Sequence, residues 1–413
     1  MDFEDTPQEA EFRAKVREWL KANAPLKAED ASINALAGPL DEVKALRDAK
    51  AWQAKKAAAG YAKITWPREL GGMGGTAIQN VIYAQEEAKC GVPSGFFEIG
   101  LGMCIPTVMA HGTPEHMQRY VKKALYGEEI WCQLFSEPAA GSDLAGIRTR
   151  AEKDGDDWIV NGQKIWTSGA HYSDFGILVT RTDPTVPKHK GLTFFFLDMK
   201  SPGVEIKPIK QISGGANFNE VFFTNVRIPD SQRLGAIGDG WKVSLTTLMN
   251  ERLAIGGGGG QLGTDELIAL ARKVTLHDGQ PAIKNAAVRE RLADWYVQGQ
   301  GLKYTRFRTL TALSKGQTPG PEASIGKAVS AQRGQEYTAF AMEMMDMGGI
   351  IHDADIAPYH SGFQNNWLLA PAMRIAGGTD EILKNIIAER VLCLPGDIRV
   401  YKDIPYNQSP GVK

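Results

Sequence analysis

Apolar residues along this chain fall first at helical spacing, then at alternating spacing, then at helical spacing again. Phe12, Val16, Trp19 and Leu20 share one face of a 3.6-residue repeat and predict an amphipathic helix. Residues 41–59, rich in Ala and Lys, predict a second helix that breaks at Gly60. Thr65-Trp66-Pro67 and Gly71-Gly72 mark a loop. Thr113-Pro114 reads as an N-cap with proline in the first helical turn. Beyond Trp131 the period shortens. Residues 158–165 predict a hairpin, because Asn161-Gly162 suits a type I′ turn. Residues 176–180, 192–197 and 221–228 predict further strands, punctuated by Gly and Pro, in a β domain of about a hundred residues. From Trp241 helical patterns return at 245–255, 265–272, 287–312, 323–345 and 381–391. From Pro395 the chain is Pro/Gly/polar, a tail either ordered or frayed.

At 413 residues the chain has room for roughly three domains of about 150 residues each. An apolar share of 43% and a charged share of 23% are ordinary for a globular protein that needs no staples. A net charge of −1 gives no polyanion a reason to bind, so no nucleic-acid partner is expected. Cys90, Cys104, Cys132 and Cys393 are scattered, without a Cys-x-x-Cys pair, and read as reduced, buried thiols. The seven histidines form no ligand cluster, so no metal is expected. Five acidic residues precede the first base, Arg13, which argues against a secretory signal or a transit peptide. No apolar run is long enough to span a bilayer, and a cytoplasmic location is the expectation.

Two segments concentrate candidate chemistry. Residues 134–143 read Leu-Phe-Ser-Glu-Pro-Ala-Ala-Gly-Ser-Asp, placing Ser, Gly and backbone where a planar polar ligand can approach closely. Residues 161–169 read Asn-Gly-Gln-Lys-Ile-Trp-Thr-Ser-Gly, a Trp followed by two hydroxyls. Together, and with the helix–β–helix order, they resemble the acyl-CoA dehydrogenases. The resemblance extends to about Pro395. It implies a mainly helical α+β fold with an N-terminal helical domain (1–127), a middle β-barrel or sandwich domain (128–240) and a C-terminal four-helix bundle (241–396), followed by a tail (397–413).

The reaction implied is α,β-dehydrogenation of an acyl-CoA thioester to the trans-2-enoyl-CoA. It needs a base for the α-proton, an acceptor for the β-hydride and donors for the enolate-like oxygen. FAD supplies the acceptor. By resemblance, Phe135 and Ser136 lie along the flavin ring, Trp166 packs against it, Ser168 bonds its N5 in place of a family threonine, and Ser142 lies near the CoA chain. Thr379 and Glu381 fall where the family binds the FAD of the same subunit. Many members carry the base as the Glu of Tyr-Glu-Gly-Thr. Here the motif reads Ala376-Gly377-Gly378-Thr379, and Gly377 offers only its N–H, an oxyanion donor. Isovaleryl-CoA dehydrogenase carries its base instead in a Leu-x-x-Glu-Arg context after the β domain. Leu248-Met249-Asn250-Glu251-Arg252 matches it, making Glu251 the expected base and Arg252 its substrate-side neighbour. Burial beside flavin and thioester would disfavour the ionised carboxylate and raise its basicity.

An Arg-x-x-Phe-Gly segment and a Gln before Gly348-Gly349, common FAD contacts across the subunit boundary, are missing. Gly256 to Gly260 interrupt a helical pattern at a cost of about 0.5–1 kcal/mol each relative to Ala. Either helices approach closely there, or the run makes room for a branched or ring-bearing acyl group. The resemblance further implies an electron-transfer flavoprotein as acceptor, a homodimer or homotetramer, and a place in fatty acid and lipid metabolism. Two other readings use the same residues. An acyl-CoA oxidase or flavin monooxygenase would consume oxygen, and a CoA-ester binding protein would be colourless and take up no FAD.

Overall fold

In the computed structural model, residues 5–27, 41–255, 262–314, 323–398 and 401–410 are described. The run Gly256–Gly260 lies outside them. The helices of about three turns or more, with two shorter ones that matter below, are α1 (Pro7–Asn23), α2 (Glu42–Ala58), α3 (Ala77–Glu87), α4 (Ile105–His111), α5 (Gly240–Ile255), α6 (Thr264–Lys273), α7 (Ala286–Ser314), α8 (Ala323–Met344), α9 (Gly362–Met373) and α10 (Asp380–Ile386). Eight strands separate α4 from α5: β1 (Trp131–Leu134), β2 (Arg150–Asp154), β3 (Asp157–Ser168), β4 (Phe175–Arg181), β5 (Leu192–Asp198), β6 (Val204–Ile209), β7 (Phe218–Pro229) and β8 (Arg233–Leu234). The chain forms two compact units, one of residues 1–48, 74–93 and 255–395, the other of 49–73, 94–254 and 396–413.

In the first unit, α1 opens on a capping box in which Thr6 and Glu9 serve each other's backbone N–H, with Pro7 following. Val16 and Leu20 are buried on the expected face. α1 and α3 are tied by Glu86, whose buried carboxylate accepts from Arg13 at 3.0 Å, Arg17 at 3.0 Å and Lys89 at 2.8 Å. A separate core joins Leu267 and Leu270 of α6, Leu292 and Trp295 of α7, Tyr337 and Phe340 of α8, and Phe363 of α9.

The second unit is built on the eight-stranded sheet, ordered β6-β7-β3-β2-β4-β5-β8, with β1 parallel to β4. β4 and β5 are buried on both faces, and their alternation divides two cores. Phe175, Ile177, Val179, Phe194 and Phe196 face Ile105 and Val108 of α4 and Leu125. Leu178, Phe195 and Leu197 face Trp158 and Val160 of β3 and Val221 and Phe223 of β7. Thr113 caps the helical stretch that begins at Pro114, as expected.

The structure corrects the hairpin expected within 158–165. That stretch is part of one continuous strand, β3. The turn falls earlier, where Asp154 pairs with Asp157 across Gly155, whose φ of +60° suits the first central position of a II′ turn. Asn161-Gly162 instead forms a bulge against β7. A Cβ on Gly162 would lie 2.5 Å from Thr149 Oγ1 and 2.7 Å from its Cα, so only glycine lets the strands pass this closely. The cysteine expectation also needs amendment: Cys90, Cys104 and Cys132 are buried, but Cys393 is exposed.

Candidate functional site

The segments 134–143 and 161–169 meet in the second unit, and a buried ion pair holds them together. After the bulge, the inward alternation of β3 brings Lys164 to a position with no exposed surface. Its ammonium donates to Phe135 O at 2.9 Å and to Glu137 Oε1 at 2.8 Å. Glu137 also accepts from the Thr149 N–H at 3.0 Å and the Arg148 N–H at 2.5 Å. The Ile165 N–H donates to Ser136 O at 2.9 Å, completing the stitch. Burial alone would raise the Glu137 carboxyl, but the Lys164 charge and the amide donors outweigh it and hold it below the ordinary value of 4.5. Burial pulls the Lys164 ammonium below the usual lysine range, with Glu137 opposing.

The stitch fixes the backbone on which the expected residues stand. Phe135 is buried, its ring edge-on to Phe194 at 5.7 Å. Ser136 is half-buried and Ser142 exposed. Trp166 lies in a second bulge of β3, between Lys164 and Thr167. Its φ is +61°, a conformation that costs a bulky residue about 1–3 kcal/mol, and its indole is 55% exposed. A large apolar ring held outward on strained backbone is a pattern found at ligand sites. Phe218 meets the indole edge-on at 6.1 Å. Ser168 is half-buried beside Phe218 in the register. Asn219 braces the bulge from β7, its amide donating to Thr167 O at 2.9 Å.

Glu251 lies in the same unit, on α5. Gly240 starts this helix against β5, where a Cβ would meet the Leu192 carbonyl carbon and the Thr193 nitrogen at 2.6 Å. Val243, Ser244 and Thr247 are buried. The hydroxyls of Thr247 and Thr107 bond at 2.9 Å, and Thr246 Oγ1 lies 2.8 Å from His111 Nε2. Glu251, half-buried, follows Thr247 by four residues and so shares its face. The Arg252 side chain lies outside the described residues.

Gly377, Thr379 and Glu381 lie in the first unit. Gly377 and Gly378 have φ of +67° and +97°, so the backbone here disfavours any side chain. Thr379 caps α10, its hydroxyl accepting from the Ile382 N–H at 3.2 Å. Glu381 is exposed in the first turn. Arg374 Nε donates to the buried Asp380 at 2.7 Å, closing the loop on itself, and Lys327 Nζ of α8 donates to Gly378 O at 2.5 Å, tying the loop to that helix. Lys164, Glu137, Arg374 and Asp380 were not singled out from sequence. Lys164 could have been found: it sits on the inward phase of Trp158 and Val160.

Comparison with known proteins decides the family. Three family models match consecutive parts of the chain: the acyl-CoA dehydrogenase N-terminal domain over residues 6–128, the middle domain over 132–226 and the C-terminal domain over 238–392. The acyl-CoA dehydrogenase IpdE1 of Mycobacterium tuberculosis is 37% identical over 94% of this chain and 98% of its own length. The chain belongs to the acyl-CoA dehydrogenase family. Acyl-CoA dehydrogenase FadE34 of Mycobacterium tuberculosis is also 37% identical over 87% of this chain, which spans about half (48%) of that relative. Among solved structures, the Tcur3481-Tcur3483 steroid ACAD matches with a TM-score of 0.80 at 25% identity, covering 96% of this chain and 100% of that one. The ChsE4-ChsE5 complex from Mycobacterium tuberculosis matches with a TM-score of 0.76 at 25% identity, over the same shares. The three-domain fold of acyl-CoA dehydrogenases is thus the fold of this chain.

Members of this family use FAD, and the residues present fit its ring. The outward Trp166 indole offers an apolar face, and Ser136 and Ser168 bring polar groups to the same pair of stitched segments. No described helix is long and apolar enough to cross a membrane.

Proposed function

We propose that this acyl-CoA dehydrogenase converts an acyl-CoA thioester to the trans-2-enoyl-CoA with FAD, taking the α-proton on Glu251. One observation carries the reading. Position 377 has left-handed backbone and no side chain, while α5 brings a carboxylate one turn beyond the anchored Thr247. Glu251 acts as general base. The Gly377 N–H donates to the thioester oxygen as charge builds there. Phe135, Ser136, Trp166 and Ser168 would hold the flavin ring, with Thr379 and Glu381 as further cofactor contacts. Ser142 and Arg252 would meet the substrate. Bound FAD supplies the β-hydride acceptor.

The acyl group is bulky and ring-bearing, a reading supported by the likeness to a steroid ACAD at 25% identity over nearly the whole chain. Electrons pass to an electron-transfer flavoprotein. The working form is a dimer or tetramer of this chain or of this chain with a related one. Support for the second comes from the match to half of FadE34 and from the ChsE4-ChsE5 complex. The setting is cytoplasmic lipid metabolism.

The test is anaerobic mixing of the FAD-loaded protein with straight, branched and steroid side-chain CoA thioesters, scored by flavin bleaching. The steroid thioester bleaches fastest, and Glu251→Gln slows bleaching about 10²–10⁴-fold. Bleaching of the variant at the parental rate would remove Glu251 from this role. Oxygen consumption during turnover would point to an oxidase or monooxygenase, and a colourless protein that takes up no FAD to a CoA-ester binding protein.

A further inference from the structure

We propose that the C-terminal strap, residues 401–410, belongs to the CoA-binding side of this enzyme, with Tyr406 as the positioning residue for the Ser142 loop. The proposal rests on the role given above to Ser142. The strap runs antiparallel to the loop between β4 and β5. The Tyr406 N–H donates to Val186 O and the Asn407 N–H to Pro184 O, both at 2.9 Å, and Pro405 pairs with Pro187. Its neighbours 401–403 and 407–408 are exposed, but Tyr406 is 6% exposed. A single side chain therefore plugs the strap into the unit.

That side chain sits on the Arg181 guanidinium, 3.5 Å from ring centroid to Cζ. Arg181 is itself buried and donates to Ile147 O at 3.1 Å, Ala145 O at 2.5 Å and Lys188 O at 3.1 Å. The Tyr406 hydroxyl donates to Gly146 O at 2.9 Å. Three successive carbonyls, 145 to 147, are thus held by one Arg–Tyr pair. At the other end of the same loop, Lys188 Nζ lies 2.7 Å from both carboxylate oxygens of Asp143. The loop is pinned on both flanks, and Ser142 is exposed next to its pinned end. Removing the ring would open the guanidinium face to water, and removing the hydroxyl would take a donor from Gly146. Either change loosens the segment that presents Ser142.

Titration calorimetry of the FAD-loaded protein with free coenzyme A tests this. Tyr406→Ala weakens CoA binding about tenfold while FAD retention stays parental. Tyr406→Phe keeps the stack, loses only the hydroxyl and weakens CoA binding about threefold. Ser142→Ala weakens CoA binding in the parent but adds little in the Tyr406→Ala background, because the two act through one loop. Parental CoA affinity in Tyr406→Ala overturns the proposal. So does a joint fall of CoA affinity, FAD retention and melting temperature in both Tyr406 variants, since that is what a scaffold residue would do. If Tyr406→Ala does not fold, parental CoA affinity in Tyr406→Phe overturns it. Parental CoA affinity in Ser142→Ala, by contrast, defeats the role given to Ser142 itself.

Discussion

Glu137→Gln is the most informative single change in the second unit. Glutamine fits the volume, and its carbonyl can still accept from Lys164 Nζ and the Thr149 N–H, the partners of Oε1. Its NH₂ must then face the Arg148 N–H, which now donates to Oε2 at 2.5 Å, so two donors oppose each other. The larger loss is electrostatic. Lys164 has no exposed surface, and its ammonium would be left without a counter-charge. Removing one partner of a buried pair costs about 3–5 kcal/mol. In a unit of about 200 residues each kcal/mol shifts the melting temperature by about 2–4 °C, which gives a drop of roughly 6–20 °C. Lys164→Met removes the ammonium instead, and the double variant should lose less than the sum of the two singles. Differential scanning calorimetry of the parent and three variants at pH 7, with FAD release followed in parallel, gives the cycle. Because the stitch also shapes the Trp166 bulge, FAD should be released ahead of the main transition in both single variants. A Glu137→Gln protein melting within 2 °C of the parent (under about 1 kcal/mol), or singles that simply add, would refute the claim that this pair holds the site.

Glu86 carries a pH prediction. Burial would raise its carboxyl, but Arg17, Lys89 and Arg13 lower it to about 2 from an ordinary 4.5. The stability it contributes is therefore present above pH 4.5 and lost as the pH falls toward 2. Arg17 and Lys89 are more than half exposed, so the contribution is about 1–2 kcal/mol, less than the full shift implies. An acid melting series of Glu86→Gln should converge on the parent at low pH. Trp166→Gly relieves left-handed backbone, so the cofactor-free protein should melt no lower than the parent, while FAD affinity measured by fluorescence quenching falls at least tenfold, about 1.4 kcal/mol or more. Gly377→Ala places a Cβ at φ +67° and should cost about 1 kcal/mol in a melting experiment. Gly162→Ala should be worse, since its Cβ would collide with the Thr149 backbone.

α1 was legible because its buried face repeats cleanly, at Val16 and Leu20, and α2 because of its Ala/Lys-rich composition, whereas α3 and α9 are not among the helices predicted. The paired β4 and β5 were legible as apolar runs. β2, with the burial pattern of an exposed strand, carried no such signal, nor did the short β1 and β8. Asn161-Gly162 misled for a physical reason. The Asn161 carboxamide bonds Asn225 across the sheet, accepting from its N–H at 2.9 Å, while Gly162 lets Thr149 pass. The same two residue types that make a turn here make a cross-strand clasp. Both candidate segments could be read from sequence, but the force joining them could not, because a Lys and a Glu 27 residues apart reveal a buried pair only once β3 is in register.

The two-faced burial of β4 and β5 has a further consequence. These strands are a party wall: one side of each belongs to the core shared with α4, the other to the core shared with β3 and β7. Neither room can be opened without disturbing the wall, so both should lose order in one step. Amide hydrogen exchange would then show its slowest protons along residues 176–180 and 193–197, and a one-residue insertion in β4 would swap Ile177 and Leu178 between rooms and unfold both.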